Sequence, residues 1–187
     1  MLFISTNCSP PRPEARFIPG AANICVAYLI RPFRSSDAEK LSEITLAAIR
    51  TLGPDCYSSQ QVEAWASKHE GSAMYRRRIA QGAAIIVAAD TQDEPVGYAL
   101  LEPDGHLDRL FNHPDHIRQG LAVQLLVHAE QHARANRVSH LYTEASELAR
   151  PAFERAGYDL IERRDFVIEY AGRQVPIHNY AMEKTLD

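Results

Sequence analysis

The stretch HLDRLFNHPDHIRQGLAVQLLVHAEQHARANRVSHLYTEA, residues 106–145, decides the architecture. Its first part, HLDRLFNHP (106–114), alternates Leu107, Arg109 and Phe111 against Asp108, Leu110 and Asn112, the pattern of a strand partly covered on both faces. The loop DHIRQG then runs straight into a helix from Leu121 to Asn136, whose apolar face uses Leu121, Leu125, Ala129 and Ala133. VSHLYTEA (138–145) is strand-like again. Strand, helix, strand in that order implies one parallel crossover, because parallel neighbours need a connection of about this length.

Working outward, AYLIRPF (27–33) reads as a short strand, and SSDAEKLSEITLAAIRTLG (35–53) as a helix. Ser36 suits its N-cap, Leu41, Ile44, Leu46, Ala48 and Ile49 form its apolar stripe, and Gly53 closes it. Ser58-Ser59-Gln60-Gln61 is a capping-box pattern opening a second helix to about His69, and Ser72 to Gln81 predicts a third, with Gly82 after it. AAIIVAAD (83–90) and VGYALLEP (96–103) read as a hairpin across TQDEP. After residue 145 come a short helix (147–157, Pro151 in its first turn) and a closing hairpin, YDLIERRDFVIEY, AGR, QVPIHNYAMEK. The expected fold is α/β (α+β): a mixed, mostly antiparallel sheet with one parallel splayed strand pair and flanking helices.

Length and composition bound the rest. With 187 residues, 45% apolar and 24% charged, the chain fits one globular domain, taken here as 27–187. Residues 1–26, with Pro10, Pro11, Pro13 and Pro19, read as a poorly ordered extension. A net charge of −4 argues against a general nucleic-acid binder and against bulk attraction to anionic membranes. No run reaches the 18 or so apolar residues of a spanning helix, and the opening MLFISTNCSPPRP lacks the basic and apolar regions of a signal peptide. Three scattered cysteines, Cys8, Cys25 and Cys56, suit a reducing compartment, so a cytoplasmic location is expected.

The loop at 113–122 carries chemistry. A helix N-terminus exposes unpaired N–H groups and about half a positive charge. Gly120 and Ala122 let an anion approach the backbone, and Arg118 adds charge at the rim. The same residues also suit a plain strand-to-helix turn. A second motif, SELARPAFERAGY (146–158), ends a helix in Gly157 before an aromatic strand start.

With these two motifs and the element order, residues 28–184 resemble the GNAT superfamily of acyl-CoA-dependent N-acetyltransferases. Ile117-Arg118-Gln119-Gly120-Leu121-Ala122 falls on the family's cofactor loop, and Ser146, Ala149, Phe153, Glu154, Gly157 and Tyr158 fall on its following helix. The resemblance implies acetyl-CoA as co-substrate. Its pyrophosphate would lie on the amides of Arg118, Gln119, Gly120, Leu121 and Ala122. Its pantetheine arm would run along the main chain of Leu110, Phe111 and Asn112, with Ser146 and Phe153 nearby. It also implies an acceptor pocket bordered by Tyr57 and Trp65.

Three positions depart from the family pattern. Ile117 replaces a Gln or Arg, Ser146 replaces an Asn, and Phe153 replaces the tyrosine that often serves as acid. The acid role is therefore absent or moves to Tyr142, Ser146, Tyr158 or Tyr180, and Asp108, Glu102 or Glu144 are the candidates for the base. Asp108, Tyr142 and Ser146 are the leading catalytic candidates. His113-x-x-His116 and the i, i+4 pair His128 and His132 lack a further ligand, so no metal is expected. His113 suits ordering of the loop or deprotonation of an amine. Arg76-Arg77-Arg78 reads as a solvated helix face, since consecutive helical residues diverge. The expected function is acetyl transfer to a primary amine of a small molecule or peptide, by direct attack in a ternary complex. The alternative is an acyl-CoA-binding module with little catalysis. Exposed strands of the closing hairpin would suit a homodimer.

Overall fold

The computed structural model describes residues 28–187; the extension expected at 1–26 lies outside the described residues. The elements run β1 (Leu29–Pro32), α1 (Ala38–Leu52), α2 (Ser59–Ala66), α3 (Ala73–Ala80), β2 (Ala84–Ala89), β3 (Pro95–Leu101), β4 (Leu107–Asn112), α4 (Leu121–Ala135), β5 (His140–Ala145), α5 (Arg150–Arg155), β6 (Asp159–Tyr170) and β7 (Arg173–Thr185). Among the described residues, no helix is long and apolar enough to cross a membrane.

The strands form two antiparallel sheets, ordered β1-β2-β3-β4 and β5-β7-β6. This corrects the expectation of a single sheet. β4 and β5 run parallel, but they meet at one isolated bridge, His106 to Tyr142. Three contacts fasten that end. Tyr142 N donates to Gly105 O at 3.1 Å, Thr143 Oγ1 donates to Leu107 O at 2.8 Å, and Gly105 lies so close to His140 that a Cβ would stand 2.1 Å from its carbonyl oxygen. Gly105 also has φ +96°, a region that disfavours side chains. Beyond this point no ladder joins the two strands.

The central strands β2 and β3 are buried on both faces, which explains their unbroken apolar runs. Ile86, Ala88, Ala99 and Leu101 pack with the predicted α4 stripe of Leu121, Leu125, Ala129 and Ala133. On the opposite face, Ile85, Val87, Tyr98 and Leu100 pack with Leu41 and Ile44 of α1 and with Met74 and Tyr75 of α3. Buried there, Thr45 Oγ1 bonds Tyr98 at 2.6 Å and Tyr75 at 2.9 Å, so the three hydroxyls satisfy one another.

Two local expectations change. Ser36 does not cap α1: a 3₁₀ turn over Ser35–Asp37 precedes it, and the Asp37 carboxylate accepts the Arg34 amide at 2.7 Å. Asp37 also holds the buried Arg31 guanidinium at 2.8 and 3.0 Å, a bidentate pair that ties β1 to the start of α1. In β4, Leu100 faces Arg109 and Leu101 faces Leu107, so Asp108 is an extra residue, a β-bulge. The bulge breaks the alternation read from the sequence. Leu107 packs on the α4 side, whereas Phe111 packs toward α1 and α2.

The fastening at Gly105 generates a prediction. Gly105→Ala places a methyl group inside the His140 carbonyl and forces a side chain into a positive φ. We expect a loss of at least about 2 kcal/mol in urea unfolding. An unchanged midpoint would show that the two sheets do not need this close approach.

Candidate active site

Where β4 and β5 part, a cavity of about 500 Å³ opens between them. Leu107–Phe111 form one wall and Thr143–Ser146 the other, with Tyr57, Trp65, Ile177 and His178 among the residues that close it. A smaller cavity of about 160 Å³ adjoins it and shares Trp65, Leu110, Phe111, Ser146 and Ala149; it extends toward Asn112, Ile117 and Ala122. One gap therefore reaches from the α4 N-terminus to the face of β7.

The loop at its α4 end is shaped by backbone. Arg118 has φ +60° and Gly120 has φ +76°, and these two left-handed residues turn the chain into the helix. A Cβ on Gly120 would meet nothing within 4 Å, so the space above it is open. Gln124 N bonds Gly120 O at 3.2 Å, but the amides of Ile117 through Val123 reach no acceptor among the described residues. The positive end of this 15-residue helix thus faces outward with its donors unused. Arg118 forms no ion pair with a described residue. Gln119 is anchored from below, accepting from the Tyr28 hydroxyl at 2.6 Å, and Tyr28 also bonds His116 Nδ1 at 3.1 Å.

The predicted site residues separate into groups. Leu110, Phe111 and Ser146 line both cavities, Asn112 and Ala122 the smaller, and Tyr57, Asp108 and Phe153 the larger. Phe153 is buried at 2% exposure, edge-on to Tyr158 at 5.1 Å. Leu121 is a core residue, so only its backbone amide is turned toward the loop's open side.

Tyr142 is not brought to the gap. It stacks on His106 at 4.8 Å and donates to Asp104 at 2.6 Å, and that hydrogen bond to a carboxylate, more than burial, pushes its hydroxyl up to about 12. Its side chain lies at the fastened end of β5, where the strands touch. Tyr158 is buried outside both cavities, and burial raises its hydroxyl far above the usual range.

The acidic candidates are occupied. Asp108 lies 3.4 Å from Arg78 and 3.3 Å from Arg109, and Arg78 also holds Glu102 at 2.8 Å. Burial raises the Glu102 carboxyl despite that arginine. Glu144 is shared by His106 at 2.6 Å and Arg164 at 3.3 Å. The arginine run disperses as expected: Arg76 pairs with Glu39, Arg77 with Glu70, and Arg78 with the Glu102–Asp108 pair.

A second cluster joins Tyr180, one of the acid candidates, to two residues the sequence does not single out, His178 and Glu147. His178, on β7, lines the larger cavity, and its Nε2 is 3.0 Å from Glu147 Oε2. The same oxygen accepts from Tyr180 at 2.5 Å, while Arg150 donates to the other at 3.1 Å. Burial works against the charged carboxylate of Glu147, but these three partners outweigh it and hold it below the usual range. Tyr57 Oη accepts the Glu147 amide at 2.8 Å and fixes its backbone. Burial pushes the Tyr57 hydroxyl up to about 12, so it stays protonated. The i, i+2 spacing of His178 and Tyr180 on one strand was the sole sequence signal; their meeting with Glu147 depends on tertiary structure.

Comparisons with known proteins agree with this geometry. Residues 54–171 match the family described as the Acetyltransferase (GNAT) domain. The uncharacterized N-acetyltransferase YafP of Escherichia coli strain K12 is 28% identical over 138 residues, covering 72% of this chain and 83% of its own. A GCN5-related N-acetyltransferase structure from Rhodopseudomonas palustris is 32% identical with a TM-score of 0.74, covering 86% of this chain and 98% of its own. The PaiA N-acetyltransferase of Thermoplasma acidophilum, solved with coenzyme A, has the same fold at 15% identity and a TM-score of 0.68, covering 85% and 99%. This chain belongs to the GNAT acetyltransferase family and is an acyltransferase.

Proposed function

We propose that the chain transfers an acetyl group from acetyl-CoA to a primary amine of a small molecule or peptide, by direct attack with both substrates bound. The observation that carries the reading is the row of unused amides around Gly120 at the mouth of the gap. Such a row suits a diphosphate, since each N–H gains a charged acceptor and the helix end favours negative charge. The open space over Gly120 admits that group, and Arg118 stands at the rim to add charge. The related PaiA structure holds coenzyme A.

From that turn the gap leads past Leu110, Phe111 and Asn112. β4 pairs with β3 on one side, and beyond its first residues it has no ladder partner on the other. Its outward-facing amides and carbonyls are therefore free to pair with the amides of a pantetheine arm, as a strand would. One of these amides, near the bulge, would donate to the thioester oxygen as it gains charge. Trp65 and Phe111, 6.4 Å apart, supply an apolar wall that limits water. The acceptor would enter from the Tyr57 and β7 side of the larger cavity.

Two measurements test this. Acetyl-CoA at about 100 times its Kd should stabilise the native state by about 2.7 kcal/mol and raise Tm by roughly 5–10 °C. Gly120→Val strains the left-handed turn and fills the open space, so the shift should fall by most of its size while the ligand-free protein stays folded. No shift with the unaltered protein would overturn the reading. Separately, free-thiol release should rise above the no-amine control with at least one member of a panel of amino acids, polyamines and short peptides. Stabilisation by acetyl-CoA without release across such a panel would instead describe a binding module.

A further inference from the structure

We propose that His178 is the general base of acetyl transfer and that Glu147 positions it; the inference rests on the acetyl-CoA reading above. The geometry has three parts. First, His178 belongs to the wall of the larger cavity, whereas Glu147 and Tyr180 stand behind it. Second, Nε2 is engaged by the Glu147 carboxylate at 3.0 Å, and a carboxylate can only accept. The bond therefore fixes the proton on Nε2 and leaves the Nδ1 lone pair bare. Third, Nδ1 has no partner among the described residues and is not sealed from solvent. This is the arrangement in which a carboxylate orients an imidazole while the opposite nitrogen takes a proton.

The surroundings keep the pair in place. Glu147 is fixed at its amide by Tyr57, at one oxygen by Arg150, and at the other by Tyr180 and His178. The Arg150 guanidinium also lies over the Tyr180 ring at 4.8 Å. The cross-strand neighbour of His178 on β6 is Asp165, itself paired with Arg163. Tyr57 packs against the imidazole from the start of α2 with ring centroids 5.8 Å apart. By contrast Asp108, Glu102 and Glu144 are bound to arginines or to His106, and each would have to break an ion pair before accepting a proton.

The acceptor ammonium gives one proton to Nδ1, and the resulting imidazolium is held by the Glu147 carboxylate. The amine lone pair bonds the acyl carbon, and the carbonyl electrons move to oxygen. Collapse breaks the carbon–sulfur bond, and the thiolate takes the second nitrogen proton. The imidazolium then returns its proton to solvent.

The test combines nitrogen-15 NMR of the histidine rings with kinetics. The resonance lost in His178→Gln identifies His178. In the unaltered protein it should show a single neutral tautomer, protonated on Nε2. In Glu147→Gln that single tautomer should become a mixture. With acetyl-CoA and the fastest amine of the panel, or with water as acceptor where no amine is turned over, His178→Gln should lower kcat by about 10²–10⁴-fold. It should also abolish the acidic limb of kcat/KM, while calorimetry shows acetyl-CoA binding retained. Glu147→Gln should lower kcat about tenfold with little change in KM for acetyl-CoA. A neutral His178 protonated on Nδ1 overturns the proposal, as does a His178→Gln variant within threefold of the unaltered kcat with the same acidic limb. Failure of the unaltered protein to bind acetyl-CoA would strike the underlying reading, which separates the two failures.

Discussion

Gly105 and His140 approach so closely that no side chain fits between them, and this contact is where the two sheets of the protein meet. A parallel pair of strands normally continues its ladder until one strand ends. Here the ladder is a single bridge, and the strands part at once. Each sheet has its own reasons to keep its direction. β2 and β3 are locked between two helical layers, and β7 is paired along its length with β6 and with β5. Neither sheet can swing to close the gap without giving up buried apolar contacts on its far side. The wedge is therefore a consequence of packing, and it leaves β4 with an open polar edge inside the protein. Such an edge is costly unless something pairs with it.

The α4 helix places its N-terminus at the same opening. The connection from Asn112 to Leu121 contains two left-handed residues, Arg118 and Gly120, and both are needed to bring the chain from an extended strand into a helix that packs back on the sheet. The conformation that reverses the chain also turns the amides outward. Fold and the proposed cofactor binding would thus impose the same requirement on this loop. A residue with a side chain at 120 would carry the strain of a positive φ even where it clashed with nothing.

Much of this was legible in sequence. Every helix and strand appears within a few residues of its predicted span, because the signals were local: the α1 and α4 stripes, the Ser58–Gln61 capping box, and the apolar runs of the central strands. The capping box forms in full, with Ser58 N donating at 2.9 Å and Gln61 N at 3.3 Å. What failed was non-local. Alternation placed Leu107, Arg109 and Phe111 on one face, and no pattern in the strand itself announces the bulge at Asp108, which β3 imposes by register. Ser36 does not cap α1 because it lies inside the 3₁₀ turn of Ser35–Asp37, where the Asp37 carboxylate is taken by the Arg31 guanidinium and the Arg34 amide. Glu147 and His178 are 31 residues apart on unlike elements. Tyr142 is a candidate acid by residue type, yet distance along a diverging strand decides what reaches the gap, and Tyr142 lies at the closed end.

Phe153 shifts the chemical burden of the site. A phenyl ring there can line the cavity but cannot donate a proton, so on the proposed reaction the burden falls on the entering amine more than on the departing thiol. The size of that task depends on the amine. A lysine-type ammonium, with a pKa near 10.4, costs about 4.6 kcal/mol to bring to its neutral form at pH 7, whereas an α-amino group near 7.7–8.0 costs about 1 kcal/mol. A low-dielectric wall lowers either cost by disfavouring the cation, and Trp65, Phe111 and Phe153 provide one. If His178 is the base, its partner carboxylate is already held charged by Tyr180 and Arg150 besides the histidine itself, and the imidazole would need only to accept the proton that this wall has loosened. On the proposed reaction, the apolar face and the polar cluster behind β7 would act on the same quantity, the free energy of the neutral amine.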